Sequence, residues 1–423
     1  MFPRFLQAAA ALGLAALAWS SQAEPLSLQD ALRLAEQRSR QLPAQDAAAD
    51  AARQMAVSAA QRPDPVLKAG IDNLPVTGAD RFSVTRDFMT MRTVGVSQEL
   101  TRPDKLRLRA SRFEREAEAA EAARQLALAN LQRDTASAWL DFYYQRQMRD
   151  LLRQQKDEAA LPVQAADAAY RGGRGSQADV FAARAAAAQI DDKIAAADRE
   201  VASAKTMLTR WTGVATDEVL DALPALGTVR LNEETLDQDI AHHPELAVLM
   251  KQEAAAQADA DTARANKRPD VSVELSYSQR GPAYSNMVSV GVSIPLQWDQ
   301  KNRQNRELGA KLAVVEQLRA QREEQARMHV AEVRTLLQQW RSDRYRVVRY
   351  DEELLPLAAD RTRAALAAYR GGTAPLSAVL DARRGEIDTR MERLRLQMSA
   401  ARLWAQLNYL IPDGPGGAME LAK

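Results

Sequence analysis

The sequence predicts a mainly α-helical protein, internally duplicated, with two pairs of short strands. Three observations carry that expectation. Two turn-forming stretches are written almost alike, AAYRGGRGSQADVFAAR from Ala168 and AAYRGGTAPLSAVLDAR from Ala367, an offset of 199 residues. Two strand-like stretches recur in the same way, VGVSQEL from Val94 and VGVSIPL from Val290, an offset of 196. Ahead of each turn runs a helix-forming segment far longer than an ordinary domain helix, residues 104–161 and 296–355, broken only by Gly309. A third landmark, Arg62-Pro63-Asp64, returns as Arg268-Pro269-Asp270. Landmarks in one order at a nearly constant offset indicate duplication of a whole structural unit.

Each unit reads helix, RPD, strand, loop, strand, very long helix, Gly turn, returning helix. The boundaries follow from these landmarks. Residues 24–212 form the first repeat, with strands about 65–73 and 91–99 and a helical hairpin about 103–212. Residues 213–232 are irregular linker. Residues 233–411 form the second repeat, with strands about 270–279 and 287–296 and a hairpin about 299–411, followed by a tail, 412–423.

The first residues stand apart. MFPRFLQAAAALGLAALAWSSQAEP holds one early cation, Arg4, an apolar run from Phe5 to Trp19, and a small-x-small pattern ending at Ala23. Residues 1–23 therefore read as a secretory signal cleaved between Ala23 and Glu24. Formal net charge is only +1, so no long-range field draws nucleic acid, and no nucleic-acid partner is expected. Aromatic content of 5 % with abundant Ala suits closely packed helices. The lack of cysteine removes disulfides, thiolate metal sites, cysteine nucleophiles and a cysteine-linked lipid anchor. Beyond the signal, no helix-forming stretch reaches the roughly 20 apolar residues needed to cross a bilayer, so a spanning element has to be β.

The strands suit that role. From Val271 the chain reads VSVELSYS, with Val271, Val273, Leu275 and Tyr277 on one face and Ser272, Glu274, Ser276 and Ser278 on the other. Val288, Val290, Val292 and Ile294 alternate with Ser289, Gly291 and Ser293. Val94 and Val96 repeat the pattern in the first unit, while Val66 to Asn73 alternates less cleanly. Such strands match a transmembrane barrel, and they also match a half-buried hairpin in a soluble sheet. The helices favour the first reading. At about 1.5 Å per residue they make rods of roughly 85–90 Å. Leu126, Leu128, Leu131, Trp139, Phe142 and Tyr143 form an apolar stripe for side-by-side packing. Pro162 and Pro356 should bend the rods near their far ends. Gly172-Gly173 and Gly371-Gly372 then supply the backbone freedom for reversal. Four strands cannot close a membrane barrel, and an open edge in lipid leaves backbone groups unpaired. Two copies would give eight strands and three would give twelve; a water-filled lumen favours three.

These residues resemble the TolC-like outer-membrane efflux channels over essentially the whole chain past the signal. Arg62–Leu100, RPDPVLKAGIDNLPVTGADRFSVTRDFMTMRTVGVSQEL, is similar to the first hairpin of the heavy-metal branch, which handles cobalt, zinc and cadmium or copper and silver. DNLPVTG and DFMTMR are the branch-specific parts. The resemblance implies a mainly α TolC-like fold with a long α-helical barrel and a four-strand share of a trimeric, twelve-stranded β-barrel. It implies a homotrimer in outer-membrane lipid of a Gram-negative bacterium, extending into the periplasm. It also implies a periplasmic membrane-fusion adaptor and an inner-membrane, proton-driven RND-type pump as partners, with the chain as passive exit duct for heavy-metal cations. A duct for drugs or a type I secreted polypeptide is the alternative within that class. A periplasmic coiled-coil spacer is the alternative outside it.

No clustered acid, base, nucleophile or phosphate loop appears, so neither catalysis nor a cofactor is expected. The functional weight falls on the two tips. Tyr170, Arg171, Gly172 and Gly173, with Tyr369, Arg370, Gly371 and Gly372, are the expected adaptor-docking turns. Arg174, Asp179, Asp381 and Arg383 are candidates for an entrance gate, with Arg184 and Arg384 nearby. Asp179 and Asp381 could form an acidic constriction or inter-helix ion pairs; an Asp in a first turn also simply complements the helix dipole. The second turn carries Ala378 where the first has Asp179, so the tips need not behave alike. His242 and His243 precede Pro244 and read as a solvated helix cap; His329 lies alone in a rod. Met89 and Met91 read as loop packing, so no metal site is expected from spacing.

Overall fold

The structure, a computed structural model, describes residues 25–216, 222–231, 240 and 243–412. The expected signal and its cleavage point at Ala23 and Glu24, His242 and nearly all of the expected tail lie outside the described residues. In order, the elements are α1 (Leu28–Arg38), α2 (Gln41–Ala59), β1 (Val66–Asp72), β2 (Met91–Leu100), α3 (Pro103–Arg171), α4 (Gln177–Thr212), α5 (Pro244–Ala265), β3 (Val271–Gln279), β4 (Met287–Ser293), α6 (Gln304–Arg349), a π-helical turn (Tyr350–Leu354), α7 (Leu355–Arg370) and α8 (Leu376–Asn408). They divide into two compact units. One holds the residues up to Ser39, Leu128–Thr235 and those from Ala331; the other holds Arg40–Ala127 and Leu236–Val330. α3 and α6 contribute to both.

The second of these units carries the sheet. Its order is β1-β2-β3-β4, and every neighbouring pair is antiparallel. β2 and β3 come from different repeats, so the sheet joins the two halves of the duplication at its centre. β4 stops at Ser293 although the alternation runs on through Ile294, because Pro295 has no N–H to give the ladder. The second RPD has a clear job. Asp270 accepts from Lys105 Nζ at 2.8 Å and from the Arg102 backbone N–H at 3.3 Å. The Lys105 ammonium is 3 % exposed and also donates to the Arg268 carbonyl, so the start of α3 is fixed to the entrance of β3. In the same unit α5 packs through small residues, with Ala258, Ala260 and Ala263 buried. Ion pairs tie it sideways: Lys251 to Glu118 of α3 at 2.8 Å, and Arg322 of α6 to Glu253 at 2.9 Å.

The other unit is helical. Trp139, Leu140 and Phe142 of α3, Leu208 of α4 and Leu407 of α8 are among its most deeply buried side chains. α1 packs on α4, and α7 on α8. The chain ahead of β1 folds as two helices, not one, broken at Ser39. Two Trp indoles hold down irregular backbone: Trp139 Nε1 donates to the Leu26 carbonyl at 2.8 Å and Trp404 Nε1 to the Thr228 carbonyl at 2.9 Å. Arg344 Nη1 adds a bond to the Gly227 carbonyl at 2.7 Å, so residues 222–231 are irregular yet pinned. The two prolines behave differently. α3 continues as helix through Pro162. Pro356 sits in the first turn of α7, directly behind the π-helical turn, where the Leu355 N–H reaches back five residues to the Tyr350 carbonyl. A widened turn there accommodates the missing proline N–H.

Candidate functional site

Two surfaces were marked by the sequence, the tips and the strands. At the tips the repeated words fold into the same motif twice. Gly173 N–H donates to the Tyr170 carbonyl at 3.1 Å and Arg174 N–H to Ala169 at 2.9 Å; 199 residues later Gly372 donates to Tyr369 at 3.0 Å and Thr373 to Ala368 at 2.9 Å. This crossed pair is a Schellman cap, and it needs a left-handed residue at its centre. Gly173 and Gly372 supply it, with φ of 67° and 72°. The tips also lie together: Ala166, Val180 and Ala183 of the first pack against Leu376 and Val379 of the second, with Tyr369 beside them. Tyr170 is exposed instead.

The candidate gate residues separate into three roles. Asp179 caps its own helix. Its backbone N–H donates to Ser176 Oγ at 3.1 Å, and its Oδ2 accepts the Ser176 N–H at 3.1 Å and the Ser176 hydroxyl at 2.7 Å. The Ser176 hydroxyl, then the Ser176 N–H, hold the Asp179 carboxyl below the ordinary carboxylate value. The second returning helix starts behind Pro375 with no such box. Arg383 pairs with Glu158 of α3, Arg384 Nη2 donates to Gln189 at 3.2 Å, and Arg171 pairs with Asp167. Arg174, Arg370 and Asp381 are exposed and form no ion pair among the described residues.

In the sheet, register decides what each face is. One row runs Leu67, Val96, Leu275, Val290 across all four strands, and the next runs Ala69, Val94, Tyr277, Val288. This apolar face is open: Leu67 and Val290 are each 71 % exposed and Leu275 is 56 % exposed. The opposite face carries Lys68, Ser276 and Ser289, then Thr93 and Ser278. Across it Lys68 Nζ reaches Glu274 at 2.5 Å, and Thr93 Oγ1 meets Ser278 Oγ at 3.1 Å. Trp298, just past β4, is 87 % exposed, and its amphipathic ring suits a lipid–water boundary. Among the described residues β1 and β4 pair on one side only.

Sequence spacing missed one cluster. His243 does cap α5, its Nδ1 accepting the Glu245 N–H at 3.2 Å, yet it is buried rather than solvated. His329 is not alone: its ring lies 4.0 Å from that of His243, and Glu245 joins them. These positions are 86 residues apart in the chain, so no local spacing could reveal them. Met89 is exposed in the loop before β2, its N–H on Asp87 Oδ1 at 2.8 Å, and Met91 opens the strand.

An apolar sheet face without a core beneath it and with open edges has no stable place in water. On a chain with long helices, such a face suits a share of a membrane barrel that further strands complete. Comparison with known proteins agrees. Residues 235–411 match the family of outer membrane efflux proteins, and the fold is TolC-like. Over 155 residues it is 30 % identical to the cobalt-zinc-cadmium resistance protein CzcC of Cupriavidus metallidurans, covering 35 % of this chain and 36 % of that one. The chain thus spans about a third of the length of that curated relative. Its fold is similar to the outer-membrane channel OprN (TM-score 0.77, 19 % identity, 91 % of this chain and 90 % of that chain). It is similar also to CusC (0.76, 17 %, 91 % and 92 %) and to the open state of the MtrE channel of Neisseria gonorrhoeae (0.73, 17 %, 92 % and 89 %).

Proposed function

We propose that this chain is the outer-membrane exit duct of a tripartite RND-type efflux system, and that its cargo is heavy-metal cations. The observation that carries the duct is the exposed, in-register apolar face backed by a polar one. Three chains supplying four strands each close a twelve-stranded wall, with the Val and Leu rows toward lipid and the Ser, Thr and Lys68–Glu274 face toward water. Closure pairs the edges of β1 and β4, which lipid would otherwise leave costing several kcal/mol per group. A barrel of that size leaves an aqueous lumen, and transport through it is passive. The helical part lies in the periplasm in this reading, and its tips meet a membrane-fusion adaptor that bridges to a proton-driven pump in the inner membrane. Tyr170 to Gly173 and Tyr369 to Gly372 form the docking turns, and the exposed Arg174 and Arg370 offer them cationic groups for an acidic partner. Asp381 is the acidic gate candidate with a free carboxylate; Arg383 contributes by bracing its helix on Glu158.

The metal cargo is supported by the partial identity to a cobalt-zinc-cadmium resistance protein and by the DNLPVTG and DFMTMR segments of the first hairpin. The test is deletion of the gene and complementation in its own host, scoring tolerance to cobalt, zinc, cadmium, copper and silver against a panel of drugs. Loss of metal tolerance alone, restored by the wild-type gene, is the expected result. Loss confined to drugs, or to export of a polypeptide, would overturn the cargo while leaving the duct.

A further inference from the structure

His243, Glu245 and His329 lie within the sheet-bearing unit, brought together by two helices. His243 is the N-cap of α5, Glu245 lies in its first turn, and His329 projects from α6. Ligand-capable atoms of the three side chains lie within 4.8 Å of one another. Both imidazoles are more than nine-tenths buried, at 7 % and 6 % exposure, and Glu245 is partly open. Other interior carboxylates of this unit are matched by cations, as Glu253 is by Arg319 and Arg322. Glu245 is different: among the described residues it meets no Lys or Arg, and its Oε1 accepts only a neutral amide, Gln325 Nε2, at 2.9 Å. A carboxylate with no basic side chain, beside two buried imidazoles, is a donor set for a borderline divalent cation. Access exists as well. Glu245 lines an open groove bounded by Leu126 of α3, Val248 and Leu249 of α5, and Gln321 and Glu324 of α6.

We propose that His243, Glu245 and His329 bind one divalent cation of the zinc and cobalt(II) class, with water completing the coordination. Occupancy is coupled to the helix start. A neutral imidazole has one lone-pair nitrogen, and in His243 the Nδ1 lone pair accepts the Glu245 N–H. Ligation through Nδ1 displaces that bond directly. Ligation through Nε2 moves the ring proton to Nδ1 and removes the acceptor. Either way the ion replaces a cap, so binding reshapes the first turn of α5. Two imidazoles and one carboxylate, with a cap given up, make an exchangeable site rather than a permanent structural one. The site stands on its own geometry and does not depend on what the duct exports.

Titration of Co2+ alone into the purified full-length protein in detergent tests this. The expected result is one ion per chain with the intense visible absorption of four- or five-coordinate cobalt, displaced by Zn2+. His329→Gln and Glu245→Gln should each weaken binding by at least about tenfold. His243→Asn keeps a capping oxygen and should lose binding while circular dichroism stays unchanged. Glu245 is partly open, so its variant gives a reading even if a change at buried His329 impairs folding. Unaltered Co2+ affinity in Glu245→Gln and His243→Asn, or only the weak spectrum of six-coordinate aqua cobalt, would overturn the site.

Discussion

Ser176 and Asp179 satisfy each other's polar groups at the start of α4, and the second tip does without them. Ser176→Ala should therefore cost about 0.5–2 kcal/mol at the first tip alone, read as faster amide exchange over 177–183 with 376–382 unchanged. The pH dependence has a definite sign. The folded-state value of Asp179 is depressed from 3.8, so its contribution is fully present above that value and is lost as pH falls through the lower, folded one. Asp179→Asn should then act mainly on stability, whereas Asp381→Asn, on an uncommitted carboxylate, should reduce cation selectivity in single-channel recordings. A second contrast lies in the strands. Gly95 and Gly291 occupy the same place in the repeated VGVS, yet a Cβ on Gly95 would stand 2.8 Å from Ser276 Cβ and 3.0 Å from the Leu275 carbonyl, while on Gly291 it would meet nothing nearer than 3.8 Å. Gly95→Ala should lower the yield of folded protein well below that of Gly291→Ala, measured by heat-modifiable mobility on gels. Equal letters did not mean equal surroundings, because β2 is flanked by strands on both sides and β4 on one.

At the level of elements, the alternating residues marked the apolar face of β2, β3 and β4, less cleanly that of β1, and the Gly pairs marked where each hairpin turns. Partner choice was not legible, because periodicity carries no information about which strand lies alongside. The β2–β3 pairing and the His243–His329 contact both belong to that hidden class. Proline was ambiguous for a related reason: Pro162 is carried within α3, while Pro356 is accommodated by a π turn whose existence depends on backbone relaxation. Two predictions belong here. Val290→Arg places a cation on the apolar face and should cost about 2–4 kcal/mol in a bilayer, whereas Ser289→Arg, one residue away on the polar face, should insert normally; urea titration in lipid vesicles separates them. Asp270→Ala strands the buried Lys105 ammonium, and breaking such a pair costs about 3–5 kcal/mol. The paired apolar replacement, Lys105→Met with Asp270→Leu, should recover most of that loss in the same titration.

For the molecule as a whole, duplication was the strongest signal in the sequence and the sheet is its clearest structural result, two strands from each copy joined in the middle. Counting strands against the closure that lipid requires left two or three chains open; the resemblance implied three, and the number is measurable. Detergent extracts should contain a trimer that heating dissociates, by native mass spectrometry. A monodisperse monomer in buffer without detergent would reject shared closure.

The unequal helix starts behind the two Gly caps have a consequence for stoichiometry. In the proposed homotrimer, three such chains would present six tips, alike in backbone but alternating in side chains, a pseudo-sixfold set with true threefold symmetry. If the tips are the docking turns, identical adaptor molecules would meet two kinds of seat, three carrying the Ser176–Asp179 box and three carrying Pro375 and Ala378, and would bind them with two distinct affinities.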